Sequence, residues 1–181
     1  MKNMLGPASM VALLLTAPTW AQQVPQAPPS ESNGLNVQDK QFVETIGQST
    51  LGEVALGKLA AQKGTTPAVR LFGRWMASTD ALANRQLATM IEEMHGPTLP
   101  TTLTGEQQAE LQKMQALSGA EFDREYVQMM VPGHNAEIAL FQKEAQDGQN
   151  PSVRNFARNL LPTAKEHLGA VQDLIATTAS K

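Results

Sequence analysis

Apolar residues recur every three or four positions along four long stretches of the chain, a spacing that places them on one face of an α-helix. These stretches cover about residues 37–63, 66–95, 118–146 and 150–177. No segment alternates apolar and polar residues for long enough to form a strand. The pattern therefore predicts an all-α protein with four long helices.

Residues that start and stop helices flank these stretches. Asn36 and Thr66 are suited to cap the first two helices, and Ser118 to Glu121 has the spacing of a capping box for the third. Thr104 is suited to cap a further, short helix. Because most connections are short, consecutive helices should run antiparallel. We predict an up-and-down four-helix bundle over residues 37–177, with an extra short helix between helices 2 and 3.

The first 36 residues have the composition of an export signal followed by a linker. Lys2 precedes a short apolar run, and small residues lie at positions 19 and 21, which predicts a signal peptide over residues 1–21. Residues 22–36 are rich in Gln, Pro and Ser and predict a disordered linker. We expect an exported protein, periplasmic or loosely associated with the envelope, with no transmembrane segment in the mature chain. The alternative is a cytosolic protein with a disordered N-terminus.

Composition excludes several classes of function. The chain has no cysteine, which excludes disulfides, thiolate chemistry and a lipoprotein anchor. With 14 basic against 17 acidic residues it lacks the basic surface of a nucleic-acid-binding protein. No nucleophile elbow or phosphate-binding loop is present. The sequence thus favours a protein that is not an enzyme, without settling the question.

Each long helix carries one ionisable residue in its apolar stripe, near the middle of the helix: Glu53, Asp80, His134 and His167. The middles of antiparallel helices lie at similar depth, so these four side chains should converge in the core. Burying them without partners is costly, and a divalent cation would remove that cost. Mixed nitrogen and oxygen ligands suit iron, manganese or zinc. The four residues are therefore a candidate metal site.

Other interpretations of the same residues are open. Asp80 with His134, or Glu53 with His167, would also be satisfied as buried hydrogen-bonded pairs with a purely structural role. Glu137 could support a metal ligand, although an exposed position is favoured for it. Met129 and Met130 would suit copper(I), but methionines at helical spacing usually fill a core.

Several motifs resemble a known family, and they follow its order over about residues 39–174. The stretches that carry the resemblance are Phe42–Val43, Glu53–Ala60, Phe122–Tyr126, Met130–His134, Ala139–Ala145, Val153–Ala157 and Leu161–Leu168. They are similar to the ferritin-like domain-of-unknown-function family of exported bacterial proteins often labelled "predicted outer membrane protein". The resemblance implies a ferritin-like four-helix bundle, no established activity, and fold relatives that bind metals. The family usually has Asp-His where this chain has Thr79-Asp80 and Gly133-His134.

Two functions follow from these observations. The first is an exported bundle of unestablished activity that binds a divalent metal in its core. The second is a non-enzymatic envelope or stress-related protein that acts through partner binding, with the inner polar residues purely structural. The sequence specifies neither a protein partner nor an oligomeric state.

Overall fold

The computed structural model describes residues 34–178, and these form five α-helices without a β-strand among them. The helices are α1 (Val37–Lys63), α2 (Pro67–Glu93), α3 (Gly105–Ala116), α4 (Gly119–Asp147) and α5 (Pro151–Thr178). The predicted all-α class and the extra short helix, here α3, are confirmed. The predicted signal peptide and residues 22–33 of the predicted linker lie outside the described residues. Within residues 34–178, no helix combines the length and apolar character needed to cross a membrane.

The helix starts show which capping predictions hold. Asn36 and Thr104 each begin a helix with a reciprocal capping box, and the Thr66 hydroxyl accepts a hydrogen bond from the Val69 amide. The capping box predicted from Ser118 to Glu121 is wrong, because the Ser118 side chain makes no capping hydrogen bond. Gly119, the first residue of α4, has φ of 62°, so the chain enters this helix by a different turn.

Two antiparallel helix pairs build the bundle. Residues 64–66 connect α1 to α2, and residues 148–150 connect α4 to α5. The pairs then pack together, α1 against α4 and α2 against α5. The backbones of α1 and α2 approach closely at a glycine pair, where an added Cβ on Gly57 would lie 2.8 Å from the carbonyl oxygen of Gly73.

Two buried aspartates tie these pairs together at opposite ends of the bundle. Asp39, near the start of α1, accepts hydrogen bonds from the backbone amides of Asn36, Gln149 and Asn150. Asp123, near the start of α4, accepts from the amides of Thr65 and Thr66, at 2.8 and 3.0 Å. The start of each helix thus meets the far end of the other, so α1 and α4 run antiparallel.

The connection between α2 and α4 crosses the whole length of the bundle, and α3 lies within it. Early in α3, the Gln107 side-chain amide donates to the backbone carbonyl of Gln48, at 2.8 Å. At the end of α3, the carbonyl of Gln115 accepts from the ammonium of Lys63. The helix α3 therefore runs parallel to α1. One long crossover is a feature of ferritin-like bundles.

The core consists of two hydrophobic clusters with a polar layer between them. Phe72, Phe122 and Tyr126 belong to one cluster, and Phe42 and Phe156 belong to the other. Each of the four long helices contributes to both clusters. On every one of them, the ionisable residue singled out from the sequence falls between its two apolar segments. The amphipathic stripe of each helix is thus interrupted at the same depth.

Candidate metal centre

Five ionisable side chains form the polar layer, one more than the sequence predicted. Glu53, Asp80, His134 and His167 are exposed by 9%, 7%, 1% and 2%, so all four point inward as expected. The fifth is Glu137, with 9% exposure. The favoured expectation of an exposed Glu137 is wrong, because it lies three residues after His134, where a helix presents the same face. The spacing His-x-x-Glu was the available signal.

Three of these residues come close enough to share one ion. Each of Glu53, His134 and Glu137 offers a ligand atom, and these atoms all lie within 4.8 Å of one another. Ions such as zinc bind nitrogen and oxygen ligands at about 2.0–2.2 Å. Small side-chain rotations would therefore bring all three atoms onto one ion.

The hydrogen bond of His134 decides which of its nitrogens faces the carboxyl groups. Its Nδ1 lies 2.8 Å from the backbone carbonyl oxygen of Met130. Because a carbonyl can only accept, Nδ1 must carry the hydrogen, and Nε2 is left with a lone pair. This Nε2 is buried and has no hydrogen-bond partner within the described chain. Metal-binding histidines are commonly oriented in this way.

The opposite tautomer is assigned to His167. Its Nε2 lies 3.0 Å from the Thr79 hydroxyl, which is also 3.0 and 3.1 Å from the carbonyl oxygens of Trp75 and Met76. The hydroxyl has one hydrogen, and with that hydrogen directed to these carbonyls it accepts from Nε2. The lone pair of His167 is therefore on Nδ1, which lies 4.0 Å from Oδ1 of Asp80.

The four residues predicted from the sequence thus fall into two adjacent groups. Glu53 lies with His134 and Glu137, while Asp80 faces His167. The two imidazole rings connect the groups, with centroids 5.5 Å apart. The pairs considered from the sequence, Asp80 with His134 and Glu53 with His167, are exchanged in the structure. The 4.0 Å between Asp80 and His167 is also too long for a hydrogen bond.

Burial keeps the carboxyl groups of this layer protonated to unusually high pH. It raises the pKa of Glu53 to about 7, although a hydrogen bond with Ser49 opposes the rise. Burial, followed by repulsion from Glu53 and Glu137, raises the pKa of Asp80 to about 9. Burial, followed by repulsion from Glu53, raises the pKa of Glu137 to about 9.

The imidazoles are shifted in the other direction. Burial lowers the pKa of His134, and the hydrogen bond to Met130 opposes it only in part. Burial and the nearby His134 lower the pKa of His167 to about 4. Both rings are therefore neutral at physiological pH, which is the state that binds a metal. A cation would also favour the charged carboxylates that burial disfavours.

A cavity of about 320 Å³ leads to this layer between α1, α3 and α4. Glu53 and His134 line its inner end, and Gln107 and Glu110 of α3 line it from the crossover helix. Met129 and Met130 also border it. Glu53 and His134 of the first group are thus next to a space that an ion can enter.

Comparison with known proteins identifies a family and a fold. The sequence profile of the family described as "Domain of unknown function (DUF4142)" matches residues 24–174. No curated protein matches the chain.

Three solved structures are similar in fold. A DUF305 fragment from Deinococcus radiodurans is 17% identical with a TM-score of 0.70, covering 80% of this chain and 99% of that one. CopM in its Cu(I)-bound form is 14% identical with a TM-score of 0.65, covering 77% and 96%. A dodecameric thioferritin, the bacterioferritin-related protein of Bacteroides fragilis, is 19% identical with a TM-score of 0.58, covering 83% and 92%. These identities support a shared ferritin-like helical fold and nothing finer.

Proposed function

Because this chain belongs to the DUF4142 family, a domain of unknown function, we propose a function from its own residues: it binds a divalent transition-metal ion in the core of the bundle. Glu53, His134 and Glu137 are the proposed ligands. They come from α1 and α4, which pack antiparallel, so the site depends on the folded bundle.

The observation that carries this proposal is the buried lone pair on Nε2 of His134. It lies beside two carboxyl groups, and neither it nor Oε2 of Glu53 has a hydrogen-bond partner among the described residues. A buried polar atom without a partner costs about 1–3 kcal/mol. A cation bound by these atoms would remove both costs at once.

The donor atoms limit the choice of metal. One imidazole nitrogen with carboxylate oxygens suits iron, manganese or zinc. Copper(I) belongs among the ions to test, because Met129 and Met130 line the adjoining cavity and CopM, which is similar in fold, is known in a Cu(I)-bound form. We further propose that the protein works outside the cytoplasm, in the periplasm or loosely attached to the envelope, on the basis of the predicted signal peptide.

The competing proposal is a non-enzymatic envelope or stress-related protein that acts through a partner, with a purely structural polar layer. The shifted pKa values support it to this extent: the carboxyl groups can remain neutral in the core without any ion. The two proposals differ in one respect that can be measured, namely whether folded protein holds metal in a fixed ratio.

The test is elemental analysis of protein purified from its native compartment, followed by titration of metal-free protein with each ion. The variant His134→Asn is suited to this test, because the Asn amide nitrogen can still donate to Met130 while the Nε2 lone pair is removed. His95→Asn is the matched control. His95 is exposed at the end of α2 with φ of 52°, a conformation that Asn tolerates well.

We expect stoichiometric metal in the wild type and in His95→Asn, and its loss in His134→Asn. The melting temperature should rise on addition of the cognate ion only where binding persists, since the ion binds only the folded state. Metal-free wild-type protein whose melting temperature is unchanged by every ion would support the structural alternative.

A further inference from the structure

A second, smaller space lies inside the polar layer. It has a volume of about 20 Å³ and is bordered by Asp80, Glu137 and His167. A space of this size holds a single water-sized particle and no larger ligand. It is separate from the cavity that reaches Glu53 and His134, because the linings of the two spaces share no residue.

The polar atoms around this space resemble a second, incomplete coordination shell. Oδ2 of Asp80 is buried and has no hydrogen-bond partner within the described residues. In the tautomer whose Nε2–H donates to the Thr79 hydroxyl, Nδ1 of His167 presents a lone pair toward Asp80. The 4.0 Å between Nδ1 and Oδ1 is close to the span of two ligands on opposite sides of one ion, about 4 Å for bonds of about 2.0–2.2 Å.

Glu137 lies at the boundary between the two groups. One of its oxygens lies within 4.8 Å of ligand atoms of Glu53 and His134, and its side chain also borders the space next to Asp80 and His167. A carboxylate has two oxygens and can therefore bind one ion with each. The two imidazoles, on α4 and α5, lie 5.5 Å apart between centroids.

We propose that the core holds two metal ions, the second bound by Asp80 and His167, with Glu137 as the carboxylate shared between them. This inference rests on the proposed function and extends it from a mononuclear to a dinuclear centre. The five ligands then come from all four long helices. Each ion has one imidazole, and each has one carboxylate of its own in addition to the shared one.

Cobalt(II) is a suitable probe, because its bound amount can be measured by elemental analysis after gel filtration. His167→Gln is the informative variant, since the Gln amide nitrogen can still donate to Thr79 while the Nδ1 lone pair is lost. Asp80→Asn removes the charge of the same group. Glu166→Gln is the control, because Glu166 is the exposed neighbour of His167 on the same helix.

We expect two cobalt ions per chain in the wild type and in Glu166→Gln, and one in His167→Gln and Asp80→Asn. One ion in the wild type that persists in His167→Gln would overturn the second site and leave the proposed function intact. Two ions in His167→Gln would also overturn it, because the second ion would then have other ligands. Binding of no ion to the wild type would overturn both proposals.

A second measurement needs no variant. In wild-type protein loaded with manganese(II), two ions that share a carboxylate are magnetically coupled and give a broadened electron paramagnetic resonance spectrum. The six-line spectrum of isolated manganese(II) at full loading would overturn the shared carboxylate.

Discussion

Two regions of this bundle bury carboxyl groups and differ in what surrounds them. At the bundle ends, Asp39 and Asp123 accept hydrogen bonds from backbone amides. In the middle, oxygens of Glu53 and Asp80 have no donor within the described residues. Burial alone therefore does not identify a ligand. A buried oxygen without a donor does not identify one by itself either, because Glu144 beside Asp39 also has such an oxygen among the described residues. What distinguishes the middle is that ligand atoms of Glu53, His134 and Glu137 lie within 4.8 Å of one another.

The largest expected effect is at the bundle end that contains Asp39. Asp39→Ala leaves three backbone amides without their acceptor, so the free energy of unfolding should fall by about 3–5 kcal/mol. Chemical denaturation measures this change, with Asp147→Ala, at an exposed position, as the control. A loss below about 1 kcal/mol would remove the contrast between the two regions.

Metal should act only on the middle region. At a free ion concentration a hundredfold above Kd, binding should add about 2.7 kcal/mol to the free energy of unfolding. Asp39→Ala should gain the same increment as the wild type, since its defect lies elsewhere, while His134→Asn should gain less, because the ion bound through Nε2 of His134 is lost. Thermal melts with and without the ion measure both increments. An equal gain in His134→Asn would show that His134 does not bind the ion.

The metal-free middle region should weaken as pH rises from about 4.5 to about 9. The folded pKa is about 7 for Glu53 and about 9 for Asp80 and Glu137, whereas the usual value is 4.5 for Glu and 3.8 for Asp. The neutral carboxyl groups stabilise the fold fully at pH below their unfolded-state pKa values, and this stabilisation is lost as pH rises to their folded-state pKa values. Both histidines are neutral in the upper part of this range and add little to the change there. We expect a fall of about 1 kcal/mol per pH unit in denaturation experiments. Asp80→Asn should reduce this dependence of stability on pH. An unchanged dependence in that variant would show that titration of Asp80 does not contribute to it.

The smallest expected effect concerns Glu144, beside Asp39. Burial raises its pKa to about 6; its hydrogen bond with Gln38 opposes the rise and the proximity of Asp39 adds to it. The stabilisation from its neutral form is present below pH 4.5 and lost as pH rises through 6. Glu144→Gln should therefore stabilise the protein by about 1 kcal/mol at pH 8 and leave it unchanged near pH 4.5. Equal effects at both values would show that titration of Glu144 does not contribute.

The sequence was sufficient for the fold and for the inward direction of the polar residues. Helical periodicity located four stripes, and Glu53, Asp80, His134 and His167 each fell within one. An exposed position was favoured for Glu137, although a residue three positions after His134 lies on the same face of the helix.

The grouping of the ligands could not be predicted from periodicity. Whether Asp80 meets His134 or His167 depends on helix rotations and on side-chain hydrogen bonds such as that between Thr79 and His167. The cavity could not be predicted from periodicity either, because residues of α1, α3 and α4 line it together. These features arise from packing between elements that are distant in sequence.

The position of α3 has a consequence for how the proposed centre would be filled. This helix forms one wall of the cavity that leads to Glu53 and His134, yet it supplies none of the five ligands. Substitutions in α3 can therefore alter how fast an ion enters or leaves without changing the atoms that hold it. The kinetics of loading and the strength of retention would be encoded in different parts of the chain, and each could evolve independently of the other.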